Sequence, residues 1–369
     1  MNIILVTPAP PGSRKGNRVT ALRWGRLLRQ LGHHVRVRQE YRGERCDLLI
    51  ALHARRSFAA VDAFSRAQPQ RPIVLALTGT DLYEQIQTEP LARQALELAS
   101  RLVVLQPLAV EELPSHLRAR ARVIYQSCEA RPRSTRRARI NAAPGDPRSS
   151  ILHPHSSFDV CVLGHLRPVK DPFRTALAAR LLPVSSRIQV LHAGAALNPA
   201  MEKQARAEQA INPRYRWLGD LPRGKALRLL ARSRLLVLTS LLEGGANTIS
   251  EAIAVGVPVL ASRIPGSVGL LGAKYPGYFP VGDTAALAAL LTRAETDAKF
   301  YTKLKAWCRR LRPLVRPARE RESWRQLLRE LQPARPPKSA NRAATDRERR
   351  TMPLPVGRGS EKRSPLEVH

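Results

Sequence analysis

The stretch LLVLTSLLEGGANTISEAIAVGVPVLAS, residues 235–262, decides how the chain is built. An apolar run ends near Ser240. A loop with Glu243, Gly244, Gly245 and Ala246 follows, then a helical pattern from Asn247 and Thr248, and a second apolar run after the Gly256–Pro258 turn. Strand, loop, helix and strand in that order form a βαβ unit, whose parallel strands are covered on both faces. Small residues at 244–246 let a ligand come close to the backbone. The first-turn N–H groups of the helix have no partner within it and favour an anion. Glu243 before the helix and Glu251 about one turn into it flank that anion site. Two carboxylates beside a bound anion are poor partners for it but good acceptors for hydroxyl groups on either side, a ribose at one end and a sugar at the other.

The same alternation extends in both directions. Upstream, apolar runs predict strands at Asn2–Thr7, Val35–Gln39, Asp47–Leu52, Pro72–Thr78, Arg101–Gln106 and Arg122–Gln126, with amphipathic helices at Val19–Leu31, Ser57–Ala67 and Leu91–Ala99. Downstream, strands are expected at Phe158–Leu163, Ile188–Ala193, Leu235–Thr239 and Val257–Ala261, with helices that include Lys225–Ala231 and Thr248–Ala254. The fold class is therefore α/β: two doubly wound Rossmann-like domains facing across a cleft. The expected boundaries are an N-terminal domain at 1–127, a basic interdomain linker at 128–157 and a second domain at 158–319. A helix at 320–332 would put Trp324, Leu327, Leu328 and Leu331 on one side. The Pro-, Arg- and Lys-rich tail at 333–369 offers nothing to bury and reads as disordered.

The length of 369 residues suits two domains, and 43% hydrophobic residues exclude a disordered chain. No run of apolar residues is long enough for a membrane span, and the start MNIILVTPAP does not resemble a secretion signal. Four scattered cysteines fit reduced thiols and a cytoplasmic protein. The formal charge of +33 attracts anions, which keeps a non-catalytic anion or nucleic-acid binding protein as an alternative. Aromatics make up 5% and do not interleave with the basic residues, so specific nucleic-acid binding is not expected.

The pattern E-x7-E from Glu243 to Glu251, set in S-x-x-E-G and followed by E-A-x-A-x-G-x-P-V, resembles the donor-site signature of GT-B glycosyltransferases of the family-4 type. The resemblance covers roughly residues 1–332, makes 1–127 the acceptor domain and 158–319 the nucleotide-sugar donor domain, and implies that Glu251 holds the nucleotide ribose while Glu243 contacts the donor sugar. VLGHLRPVKDP (162–172) is similar to the family's strand followed by G-x-L-x-x-x-K, which makes Arg167 and Lys170 the clamp on the donor diphosphate. RWLGDLP (216–222) is similar to the segment that meets the base, placing Leu218 and Gly219 near uracil. No credible D-x-D pair is present, so no metal and no cofactor are expected; the UDP-sugar is a substrate, and cations and a helix dipole discharge the leaving group.

The loop after the first strand reads PPGSRKGNR, with Gly12 and Gly16 bracketing Arg14 and Lys15, and Asn17 and Arg18 following. HARRS (53–57) adds His53, Arg55 and Arg56 on the same rim, and LTGTDLY (77–83) contributes Asp81. A neutral sugar acceptor has no need of three loop cations, whereas a small phosphorylated acceptor has. TPAPPGSRKGNRVTALRW, ALHARRS, LALTGTDLY and VLQPLA together resemble the selenosugar synthases of selenoneine biosynthesis. That resemblance implies transfer of a sugar, typically N-acetylglucosamine, from a UDP-sugar to selenophosphate. The acceptor site would then be Gly12, Arg14, Lys15, Gly16, Asn17, Arg18, His53 and Asp81. Many family-4 members carry a His where this chain has Thr78–Asp81, and an anionic selenium needs no base to deprotonate it. The alternative within enzymes is an ordinary family-4-type transferase acting on a hydroxyl.

Overall fold

The computed structural model describes residues 1–129 and 157–331. Most of the expected linker and the expected disordered tail lie outside the described residues. In the first domain the strands are β1 (Asn2–Val6), β2 (His34–Arg38), β3 (Leu48–Leu52), β4 (Ile73–Ala76), β5 (Arg101–Val104) and β6 (Ala121–Val123). Its helices are α1 (Gly16–Gln30), α2 (Phe58–Ala67), the single turn α3 (Ile86–Thr88) and α4 (Pro90–Leu98). The second domain has β7 (Phe158–Leu163), β8 (Ile188–Ala193), β9 (Tyr215–Trp217), β10 (Leu235–Leu238), β11 (Val259–Ser262) and β12 (Tyr278–Phe279). Its helices are α5 (Arg174–Arg180), α6 (Pro199–Ile211), α7 (Arg223–Arg232), α8 (Asn247–Val255), α9 (Pro265–Leu271), α10 (Thr284–Thr296) and α11 (Ala298–Leu311), followed by α12 (Pro317–Glu330).

Each domain holds one six-stranded sheet, ordered β2-β1-β3-β4-β5-β6 and β12-β11-β10-β7-β8-β9, and every strand pairing is parallel. This is the two-domain GT-B architecture. Strands such as β3 and β10 are buried along their whole length, as helices on both faces require. Strand order reverses between β1 and β3 in one sheet and between β7 and β10 in the other. Crevices outside the carboxyl ends of strands form at such switch points. The loops after these four strands are the segments that carried the motifs.

The chain crosses between domains at Ser127. Gln126 donates to Thr20 of the first domain at 2.9 Å, while the Cys128 N–H reaches the Val315 carbonyl at 3.0 Å and its thiol lies in the second core. It returns through α12, whose Trp324, Leu327 and Leu328 are buried in the first domain's core. Trp324 meets Trp24 edge to face at 4.9 Å. Glu330 is clasped by Arg101 and Arg122 at 2.9 and 2.8 Å. The four cysteines are free and buried. Among the described residues, no helix is long and apolar enough to cross a membrane.

Candidate functional site

The cleft between the sheets has a volume of about 1580 Å³, room for a nucleotide-sugar and a second substrate. Two helix N-termini converge in it. Helix α8 starts at Asn247 behind Ala246, and α1 starts at Gly16 behind Lys15. Neither has a side-chain cap or an acidic residue in its first turn. They touch: Asn247 Nδ2 donates to Thr20 Oγ1 at 3.4 Å, and Arg23 Nη1 donates to Asn247 Oδ1 at 3.0 Å. Two positive helix ends facing each other repel unless an anion lies near them.

On the second-domain side, the loop after β7 is fastened to the end of β10. Thr239 Oγ1 donates to the carbonyls of Lys170 and Asp171 at 2.9 Å, and the Leu241 N–H to that of Val169 at 2.9 Å. That stitch brings Lys170 Nζ into contact with Glu243, which also accepts from Ser240 Oγ at 2.7 Å. Arg167 lines the same wall and forms no ion pair among the described residues. Glu251 points into the cleft from the second turn of α8, and its Oε1 pairs with Arg223 at 2.7 Å. Burial raises the Glu251 pKa, and Arg223 and then Arg23 pull it back down.

On the first-domain side, Arg14, Lys15, Gly16 and Asn17 line the cleft. Arg14 reaches across it to Asp220 at 2.7 Å. His53 ends β3 with a φ of 76°, a strained setting for a non-glycine residue. Its Nδ1 accepts the Arg56 N–H at 3.3 Å, which leaves the ring proton on Nε2, facing Thr80 Oγ1 at 3.3 Å. Burial lowers the His53 pKa, so the ring is neutral.

Several expected residues lie elsewhere. Arg18 does not line the cleft and its Nε is buried, so the loop presents two cations to it and not three. Gly12 forms an exposed turn at a φ of 79° outside the cleft. Asp81 is fully buried: its carboxylate accepts from the N–H groups of Thr78 and Gly79 at 2.9 and 2.8 Å and of Ala54 at 3.1 Å. It shapes the Thr78–Thr80 loop and is closed to an acceptor. Asp220 and Leu221 line the cleft, whereas Leu218 and Gly219 do not.

The glycines after Glu243 make room for protein. A Cβ on Gly244 would stand 2.6 Å from the Thr78 carbonyl carbon, and one on Gly245 2.6 Å from Leu105 Cβ, both in the first domain. Gly245, Ala246, Asn247 and Thr248 also line the cleft, while Gly244 is used up in the contact. Sequence reasoning missed Arg23, Glu320, Asp220 and Arg223. One signal was available: Glu320 lies one turn before Trp324 and so shares its apolar face.

Residues 146–309 match the family model for glycosyl transferases group 1. None of the curated proteins matches the chain. Among solved structures, HepE from Anabaena in complex with UDP and glucose superposes with a TM-score of 0.68 at 17% identity, covering 89% of this chain and 100% of that one. Sucrose-phosphate synthase from Thermosynechococcus elongatus gives a TM-score of 0.67 at 17% identity, covering 89% and 98%. A glycosyltransferase from Rickettsia africae gives 0.64 at 12%, covering 89% and 98%. The second domain is thus a glycosyltransferase group 1 domain. The chain as a whole has the GT-B fold, and the group 1 domain identifies the enzyme class as glycosyltransferase.

Proposed function

We propose that the chain transfers a sugar, N-acetylglucosamine, from UDP to selenophosphate in the cytosol and so makes the carbon–selenium bond of selenoneine biosynthesis. One observation carries this reading: the cleft holds two sets of anion-holding groups facing each other. Arg167, Lys170 and the start of α8 serve one anion, the donor diphosphate. Arg14, Lys15 and the start of α1 serve a second. A neutral hydroxyl acceptor gives the second set no anion of its own to hold.

In the reaction, selenium attacks the anomeric carbon and the bond from that carbon to the UDP oxygen breaks. UDP leaves with the electron pair, its charge met by Arg167, Lys170 and α8. Phosphate stays on selenium and is lost later, when water attacks phosphorus and the P–Se bond breaks to give inorganic phosphate and the sugar selenolate. UDP complexes of HepE support a UDP-linked donor. The competing reading is an ordinary hydroxyl acceptor, which fits the same fold neighbours. Incubation with UDP-N-acetylglucosamine and either selenophosphate or a panel of hydroxyl compounds, followed by mass spectrometry, decides between them. A glycosylated hydroxyl product with no selenosugar would overturn the proposal.

Two sets of substitutions test the assignments. Arg14→Gln and Lys15→Gln are each expected to lower efficiency toward selenophosphate about tenfold to a hundredfold at saturating donor. Arg18→Gln is expected to be silent, since Arg18 lies off the cleft. Loss of UDP affinity instead would assign the loop to the donor diphosphate. Separately, Glu251→Ala is expected to weaken UDP itself, while Glu243→Ala weakens UDP-sugar about tenfold more than UDP. Calorimetry with both ligands checks this, and equal losses in both variants would break the assignment.

A further inference from the structure

We propose that Arg223 is a positioning residue for the nucleoside: it holds Glu251 by one carboxylate oxygen and leaves the other to the ribose hydroxyls. The inference rests on the reading of Glu251 as the ribose ligand. Glu251 is 9% exposed at its side chain, whereas Arg223, at the start of α7, is 44% exposed. The ion pair therefore joins a buried carboxylate to a cation that remains hydrated. The closest approach is Nη1 to Oε1 at 2.7 Å. An approach centred on Oε1 leaves Oε2 for the ribose.

The groups facing Glu251 come from four elements: Arg223 on α7, Arg23 on α1, Cys128 at the domain crossing and Cys161 on β7. Burial pushes the Cys128 thiol up to about 11 and the Cys161 thiol up to about 12, so both are neutral. Arg23 is already engaged by Glu320 and Asn247. Arg223 is thus the cation bound directly to Glu251 among the described residues. Without it, a buried carboxylate lacks a direct partner and takes up a proton at higher pH. Once protonated, one oxygen becomes a donor and the group accepts fewer hydroxyls.

The test is calorimetric titration of UDP and 2′-deoxy-UDP into the wild type, Arg223→Gln, Arg223→Lys and Glu251→Gln. Comparison with wild type at each pH cancels the titration of the ligand itself. Arg223→Gln is expected to bind UDP about tenfold more weakly than wild type at the acid end of a pH series and to recover toward wild type as the pH rises. Its preference for UDP over 2′-deoxy-UDP should shrink, and Arg223→Lys should restore most of both. A uniform loss at every pH would mark Arg223 as merely structural and overturn the proposal. So would unchanged or tighter binding in Arg223→Gln, with Glu251→Gln weakened; the ribose reading would then stand. If Glu251→Gln binds UDP as wild type does, the ribose reading fails and the proposal falls with it.

Discussion

Replacing Glu320 with Ala is expected to cost about 3–5 kcal/mol of stability, the range for stripping one partner from a buried ion pair. Glu320 is 1% exposed and accepts from Arg23 Nε at 3.0 Å, from Trp24 Nε1 at 2.7 Å and from the Ser127 N–H at 3.0 Å. The Ser127 hydroxyl also donates to it. One carboxylate thus ties α1, α12 and the interdomain crossing together. Its removal strands a guanidinium, an indole N–H and a backbone N–H in the interior. A Tm lower by about 4–7 °C is expected for a protein of this size. Glu320→Gln keeps the shape and some acceptor capacity and should fall between. A thermal melt decides it: a Tm within about 2 °C of wild type for Glu320→Ala would show that the hub bears little of the fold's stability.

Gly244→Ala is expected to lower kcat/KM about a hundredfold, a loss typical of displacing a reacting group by about 1 Å. The added Cβ would meet the Thr78 carbonyl carbon at 2.6 Å, its oxygen at 2.7 Å and the Gly79 nitrogen at 2.8 Å. All are backbone atoms and cannot rotate out of the way. Either the domains part or the Thr78–Thr80 loop shifts, and that loop is held from behind by Asp81. Affinity for UDP alone should stay near wild type, because the residues assigned to UDP lie in the second domain. Steady-state kinetics beside calorimetry separates the two effects. Full activity in Gly244→Ala would mean that catalysis does not use this closed contact.

The sheets were legible because parallel strands buried on both faces leave unbroken apolar runs. Phe158–Leu163 and Ile188–Ala193 match the expected strands end to end, and the other expected strands keep their centres except Arg122–Gln126, which shifts to Ala121–Val123. Tyr278–Phe279 is too short to leave a pattern. The donor-side segments were legible for a related reason: strand end, small residues and helix start are adjacent in sequence. What escaped was pairing over distance. Arg23 and Glu320 are separated by 297 positions, and no local spacing encodes such a bond. The glycines illustrate the limit. Gly244 announces that something comes close to the backbone; the fold had to show that the something is the other domain.

The Arg14–Asp220 pair spans the cleft, with both partners 40% or more exposed. Entry of a charged substrate therefore involves two electrostatic events of opposite salt dependence. The chain's net charge of +33 accelerates diffusional encounter with an anion, and added salt screens that attraction. The same salt loosens the exposed Arg14–Asp220 contact and eases passage past it. Association should therefore slow with ionic strength less steeply than the net charge alone dictates, and the shortfall measures how often the crossing is shut.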